Sequence, residues 1–343
     1  MAANPSTTTS TTVDHDGGTT ISALHTDILQ THILTRLDGP ALASAGCASS
    51  TLQALSTEEK LWRDISTSKW PSINDPRVDD LIASFPSGHR SFFSDSFPLL
   101  GHRPPSQKIN HRPSLPSEII SSVDLYYKNE AIFSKVQETE TVTGWFRCSP
   151  FRVDLLDPKD SVPTPILHTG GDDTYLSHLR ENLTLSWIII DPTRKRAANL
   201  SSLRPVSVQR HWLTGEIHVR YATILTVGDR NVSSEFVQCG VLVTCGGKVG
   251  GEMHVREVSM VVEDMEGRNL NGEESLGILQ GAIENGKRKK GKRGEEREAY
   301  EEYVEMKRER RERKQRRERR LDALCITVAV TIFVGFWSFV LFR

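Results

Sequence analysis

The chain has 343 residues, 37% hydrophobic and 25% charged, which suits one mid-sized folded domain with accessory segments. Its formal net charge of −1 hides an asymmetry: residues 287–320 carry 17 Lys or Arg against 9 Glu, a net of +8, so the remainder carries −9. The five cysteines, Cys47, Cys148, Cys239, Cys245 and Cys325, are odd in number and form no CxxC pair. That pattern argues against a disulfide-rich secreted scaffold or a zinc ribbon and leaves free thiols in a reducing compartment.

Residues 1–20 are rich in Ser and Thr, carry Asp14 and Asp16, and read as a disordered tail. Without a basic start and an apolar core they are not a secretory signal, and without Arg they fit a transit peptide poorly. Residues 21–71 read as a small helical module. Leu29, Ile33 and Leu37 recur at i, i+4, i+8 beside Ile28 and Leu34, predicting an amphipathic helix of about three turns capped by Thr26 and Asp27. Asp38-Gly39-Pro40 ends it and Pro40 opens a second helix through Leu42, Ala43 and Cys47. Ser56 to Glu59 reads as a capping box before Leu61, Trp62 and Ile65, and Trp70-Pro71 closes the module. A unit this short is marginal alone, so an exposed apolar helix face on it points to docking.

This segment resembles the F-box in the order of Leu24, Asp27-Ile28-Leu29, Ile33-Leu34, Arg36-Leu37, Leu42, Cys47, Trp62 and Trp70, with His25 where that pattern prefers Pro. The resemblance covers the module alone. It implies binding to a Skp-type adaptor that links to a cullin scaffold in a ubiquitin ligase. The positions it assigns to that contact are Leu24, Ile28, Leu29, Ile33, Leu34, Leu37 and Leu42. The competing reading is a helical hairpin packed on the next domain.

Residues 72–116 read as a linker with short helices around Asp79 to Ile82 and Arg90 to Phe93, a loop at Gly101 to Pro105, and Phe85, Phe92, Phe93 and Phe97 as packing points. Residues 117–270 read as a mainly antiparallel, sandwich-like β recognition domain. Its expected strands are Ile119 to Tyr127, Thr141 to Cys148, Leu183 to Ile190, Ile217 to Leu225, Phe236 to Thr244 and Val255 to Glu263. Asp191-Pro192 and Arg194-Lys195-Arg196 form a turn with a small basic cluster. The string from Trp187 to Pro192 and that from Arg204 to Ile217 are similar to a plant F-box family with an uncharacterised C-terminal region. The strand pattern also loosely resembles phloem-lectin jelly rolls, and no binding pocket is placed from it, so sugar binding is not inferred.

Residues 271–320 read as a basic, charged linker and helix. Residues 287–293 are glycine-broken. From Glu295 to Arg320 neither Gly nor Pro occurs, and Glu309 with Arg313 and Glu312 with Arg316 sit at i, i+4. Attraction to anionic lipid and a solvated, topology-setting spacer are both compatible with it. A nuclear-localisation reading of residues 287–293 competes with a membrane anchor. That anchor is residues 321–343. From Ala323 to Phe342 no charge occurs over 20 residues, about 30 Å of helix at 1.5 Å per residue. Leu324, Ile326, Val330, Phe333, Trp337 and Leu341 are its expected membrane contacts. The basic block on its N-terminal side predicts a tail anchor with the bulk in the cytosol, the endoplasmic reticulum being favoured.

The fold class is therefore α+β: a helical module, an antiparallel β domain, and a charged helix running into one span. No HExxH or GxSxG motif occurs, and Gly246-Gly247-Lys248-Val249 lacks a P-loop's spacing and its Ser or Thr, so a hairpin turn is expected there. His211 and His218 read as structural, and the sequons at Asn182, Asn199 and Asn231 should stay bare in the cytosol. Neither cofactor nor metal is expected, and nucleic acid is not an expected partner. The functional expectation is a non-catalytic, membrane-tethered ligase receptor for an unidentified protein substrate. The alternative is a membrane-anchored lectin-like or lipid/protein-binding module acting outside a ubiquitin ligase.

Overall fold

The computed structural model describes residues 25–97, 99–101, 115–170, 172–227, 236–286, 288–289 and 294–343, in two compact units divided between Ile65 and Ser66. The N-terminal tail, Leu24, the loop at 102–105, the Asn231 sequon and most of the glycine-broken basic run lie outside the described residues.

The smaller unit opens on α1 (Thr26–Ile28), continues through a π turn at Leu29–Ile33 and closes in a 3-10 turn at Leu34–Arg36. The Thr31 and Thr35 hydroxyls donate to carbonyls four residues back, at 2.6 and 2.8 Å, a pattern that bends helices. The expected regular helix is therefore replaced by one whose phase slips: Leu34 N–H donates to Leu29 O, five residues back. The expected stripe is split, with Leu29 buried, Ile33 exposed and Leu37 half-buried. His25, not Thr26 or Asp27, caps the segment, its Nδ1 accepting from Asp27 N at 3.4 Å. In α2 (Gly39–Ala45) the Asp38 carboxylate accepts from Ala41 N at 2.9 Å, and in α3 (Ser50–Ser56) Ser49 Oγ accepts from Leu52 N at 3.2 Å. α4 (Glu59–Lys69) runs across the division. Ser56 Oγ donates to Gln53 O at 3.1 Å, so that hydroxyl closes α3 instead of opening α4.

In the larger unit, a 3-10 turn at Pro71–Asn74, α5 (Pro76–Ala83) and α6 (Gly88–Ser96) gather Phe85, Phe92 and Phe93 around Trp70. Trp70 Nε1 donates to Ser186 Oγ at 3.0 Å, and Ser72 donates to the buried Asp124 carboxylate through its amide at 2.9 Å and its hydroxyl at 2.6 Å. Then come β1 (Leu99–Leu100), β2 (Glu118–Tyr127), β3 (Glu130–Glu140), α7 (Gly144–Cys148), β4 (Arg152–Asp154), β5 (Val162–Leu167) and α8 (Asp173–Asn182). They are followed by β6 (Leu183–Asp191), β7 (Arg196–Asn199), β8 (Ser207–Arg210), β9 (Ile217–Thr226), β10 (Phe236–Gly246) and β11 (Glu252–Asp264). The chain ends in α9 (Gly272–Asn285), β12 (Arg288–Lys289) and α10 (Glu295–Leu341).

All pairings between the strands are antiparallel. One sheet has the order β3-β2-β6-β7; the other runs β4-β11-β10-β9-β8 with β5 added on β11; β1 pairs with β12. Val123, Leu125, Leu185 and Trp187 of the first sheet share one apolar core with Val219, Tyr221, Val241 and Met260 of the second.

Two stretches depart from expectation. Thr141 to Cys148 contains the helix α7 in place of a strand, because Thr143 Oγ1 accepts from Phe146 N at 3.2 Å and turns the chain while Phe146 goes inward. Behind the β domain, α9 is an apolar-faced helix where the sequence suggested charged linker. A capping box fixes its start, Asn271 Oδ1 accepting from Glu274 N at 2.8 Å, and Leu276, Leu279 and Ile283 join the core.

The charged helix and the apolar span are one helix, α10, of 47 residues. Its N-terminal part is not a free spacer. Tyr303 is fully buried beside Ile224 and Met265, its hydroxyl donates to Asp264 O at 3.1 Å, and Lys307 pairs with Glu263 at 3.3 Å. Burial pushes the Glu296 carboxyl up to about 7 from 4.5, against the amides of Leu203 and Arg204, which stabilise the anion. A carboxyl raised in the docked state contributes stability that is full below its ordinary value and lost as pH rises through about 7. Amide exchange over residues 295–303 should therefore be slower at pH 6 than at pH 8 after correction for intrinsic rates. The Glu296→Gln variant should lack that difference; a difference of equal size in the variant would contradict this assignment.

Candidate functional site

The smaller unit builds a face from its first helical segment. Leu29, Leu34 and Leu42 are 2%, 1% and 0% exposed and form the packing layer, whereas Ile28 and Ile33 remain 45% and 38% exposed. In a regular α-helix, residues five apart point about 140° away from each other. The widened turn, with its bond from Leu34 N to Leu29 O, reduces that divergence and leaves both isoleucines on the surface. Gln30 Nε2 donates to Glu58, tying this segment to the turn before α4, and Trp62 Nε1 donates to Ser56 O at 2.6 Å. The structure thus separates the positions named from sequence into a surface pair, Ile28 and Ile33, an interior trio, and a half-buried Leu37. Periodicity could not make that separation, because it assumes one helical pitch throughout.

The C-terminal part of α10 is apolar on every side. Leu324, Ile326, Val330, Phe333, Trp337 and Leu341 are all exposed, this apolar stretch is not buried within the chain, and the helix is long and apolar enough to cross a membrane.

Burial shifts two thiols and one imidazole of the larger unit. Burial pushes the Cys239 and Cys245 thiols up to about 12, so neither is a thiolate nucleophile near neutral pH. His218 is lowered from its ordinary value by burial and by His211, whose ring lies 5.0 Å away. The glycine-rich segment after β10 is the turn to β11, with Gly250 at φ +85°, a conformation costly for any other residue. Among the described residues, no three His, Cys, Asp or Glu side chains are grouped to hold a metal.

The chain joins a small helical module with an exposed aliphatic pair to a larger unit built on antiparallel sheets. No family model matches it, and no solved structure does. Three Arabidopsis thaliana proteins are similar to it along most of its length. F-box protein At2g27310 is 50% identical over 97% of this chain and 99% of its own length. F-box protein At3g44326 is 49% identical, covering 82% of this chain and 79% of its own length, and Probable F-box protein At2g36090 is 46% identical, covering 85% and 82%. The chain belongs to this plant F-box protein family.

Proposed function

We propose that the chain is the substrate-recruiting subunit of an SCF-type ubiquitin ligase, tethered to a membrane through α10. The observation behind the first part is the Ile28–Ile33 pair, left on the surface of a module whose interior layer is already filled by Leu29, Leu34 and Leu42. Large aliphatic side chains left uncovered on a small unit are a docking feature. On this reading Ile28 and Ile33 enter a Skp-type adaptor, with the half-buried Leu37 as a further contact. The three buried leucines hold the module's shape, and the adaptor joins a cullin scaffold. The β domain recruits a protein target, and the chain contributes proximity: it holds the target beside a charged conjugating enzyme at high effective concentration. The apolar, uncovered end of α10 supports the tether, and the basic residues before it favour a cytosolic placement of the rest.

Co-purification of the full chain with a Skp-type adaptor tests the docking face. The pair Ile28→Asp plus Ile33→Asp should abolish it while leaving the thermal midpoint within a few degrees of the parent, because both side chains are exposed. Leu29→Asp would be uninformative, since it places a charge in the interior. Unchanged adaptor recovery by the double variant would contradict the proposed face.

A further inference from the structure

We infer that the end of the β domain formed by the β8–β9 and β10–β11 turns docks an acidic segment of a separate protein, one that carries a large apolar side chain. This inference rests on the receptor reading and names the surface and the chemical class of partner for it. Trp212 and Leu213 are exposed in the first turn, Trp212 at 87%, and Val249 is exposed in the second. Leu167, at the end of β5, is exposed beside them. Turns are met by small and polar residues. A tryptophan at a turn tip buries little within its own chain, and uncovered groups of this kind mark interfaces.

The surface is held together by bonds between neighbouring elements. Arg256 of β11 pairs with Glu216, at the foot of the β8–β9 turn, at 2.7 Å. The His168 amide donates to Gly251 O at 2.9 Å, and the Gly250 amide donates to His168 O at 2.7 Å. Within the β8–β9 turn the His211 amide donates to Glu216 O at 2.7 Å, and the Gly215 amide donates to His211 O at 2.9 Å. A surface ordered in advance loses less freedom on binding.

Its charge is unbalanced. Arg210, Arg220 and Lys248 are exposed and have no carboxylate partner among the described residues. Glu216 is taken by Arg256 and Glu257 by Arg152. Of the described carboxylates between residues 207 and 257, Glu252 is the one without an ion pair. The same surplus is felt by His218, which burial lowers first and the charges of His211 and Arg220 lower further, Glu216 and Glu257 opposing them. Asp172 and Asp173, at the start of α8, bound the surface on the β5 side. A partner's carboxylates therefore fall over the β8–β9 turn, and its apolar side chain packs against Trp212 and Val249.

The course of α10 excludes two other occupants. Glu296 meets the amides of Leu203 and Arg204, and Lys314 pairs with Glu266 at 3.4 Å, beyond the end of β11. The apolar span continues the same helix. β11 runs from Glu252 to Asp264, so the tether leaves from the end of that strand opposite the β10–β11 turn, about 40 Å of extended chain away. The bilayer holding α10 lies on the far side of the domain from this surface. Two copies in one bilayer carry their surfaces side by side, both turned from the membrane.

The test uses the full chain in uncharged phosphatidylcholine nanodiscs. The probes are fluorescent peptides of about twelve residues with one Trp, Phe or Leu among Asp and Glu, a length suited to an extended docking segment. Their controls carry Ala for the apolar residue or Lys for the acids. The best acidic, apolar peptides should bind about tenfold tighter than both controls, and the gain over the lysine control should shrink as salt rises. Trp212→Ala plus Leu213→Ala should remove the preference for the apolar residue, and Arg210→Ala plus Lys248→Ala the preference for acids. Neither pair should lower the thermal midpoint, because all four side chains are exposed. Trp145→Ala, which deletes an exposed indole on α7, should leave both preferences intact. Absence of any preference, its survival in both double variants, or equal loss in Trp145→Ala would overturn the inference. So would tighter binding to phosphatidylserine vesicles than to any peptide, or disc-to-disc pairing that the Trp212 and Leu213 variant abolishes. Adaptor binding, measured on the same samples, reports separately on the receptor reading: its loss with peptide binding intact removes the ligase role and not the surface.

Discussion

Deleting residues 321–343 is expected to move the protein from a carbonate-resistant membrane pellet to the soluble fraction. The span from Ala323 to Phe342 holds twelve Leu, Ile, Val or Phe residues. At roughly −0.3 to −0.6 kcal/mol each on an insertion scale, they favour insertion by about 4–7 kcal/mol. One central Arg or Lys costs about 2.5–3.5 kcal/mol on the same scale. The pair Val330→Arg and Phe333→Arg should therefore reproduce the deletion, whereas Val330→Arg alone should leave a measurable membrane fraction. Carbonate extraction followed by quantitative immunoblotting reads all three. Full retention of the deletion variant in the pellet would mean that the chain is held by some other contact.

The second large effect is on stability. Trp187 is fully buried in the middle of β6, opposite Val123 of β2, within the core that both large sheets share. Trp187→Ala should cost about 3–5 kcal/mol from lost burial and the cavity left behind, a large share of the ~5–15 kcal/mol that holds a typical domain folded. The indole N–H of Trp187 has no acceptor among the described residues. Trp187→Phe removes no hydrogen bond and should therefore cost about 1–2 kcal/mol, a milder shape and volume change. Chemical denaturation followed by the remaining tryptophans separates the two. Equal losses for Ala and Phe would show that the indole ring's volume is not what the core depends on.

Much of the β domain was legible because its strands bury one or both faces and the sequence declares it. Leu183 to Ile190, Ile217 to Leu225, Phe236 to Thr244 and Val255 to Glu263 all lie within observed strands. The misses trace to local chemistry that periodicity does not encode. A single threonine cap turned Thr141 to Cys148 from strand to helix, and an Asn-Glu box started α9 in a stretch that read as charged linker. The charged half of α10 was recognised as a helix, but one tyrosine among many charges gave no sign that Tyr303 would be sealed against the β domain. In the N-terminal helical module, sequence supplied the apolar residues but not their sides: a π turn, which has no sequence period of its own, put Leu29 inside and Ile33 outside.

The most direct test of the receptor role is the affinity of the purified full chain, in nanodiscs, for a purified Skp-type adaptor by calorimetry. One adaptor should bind per chain, and affinity should fall at least a hundredfold in the Ile28→Asp plus Ile33→Asp variant. No detectable binding by the parent protein would contradict that role.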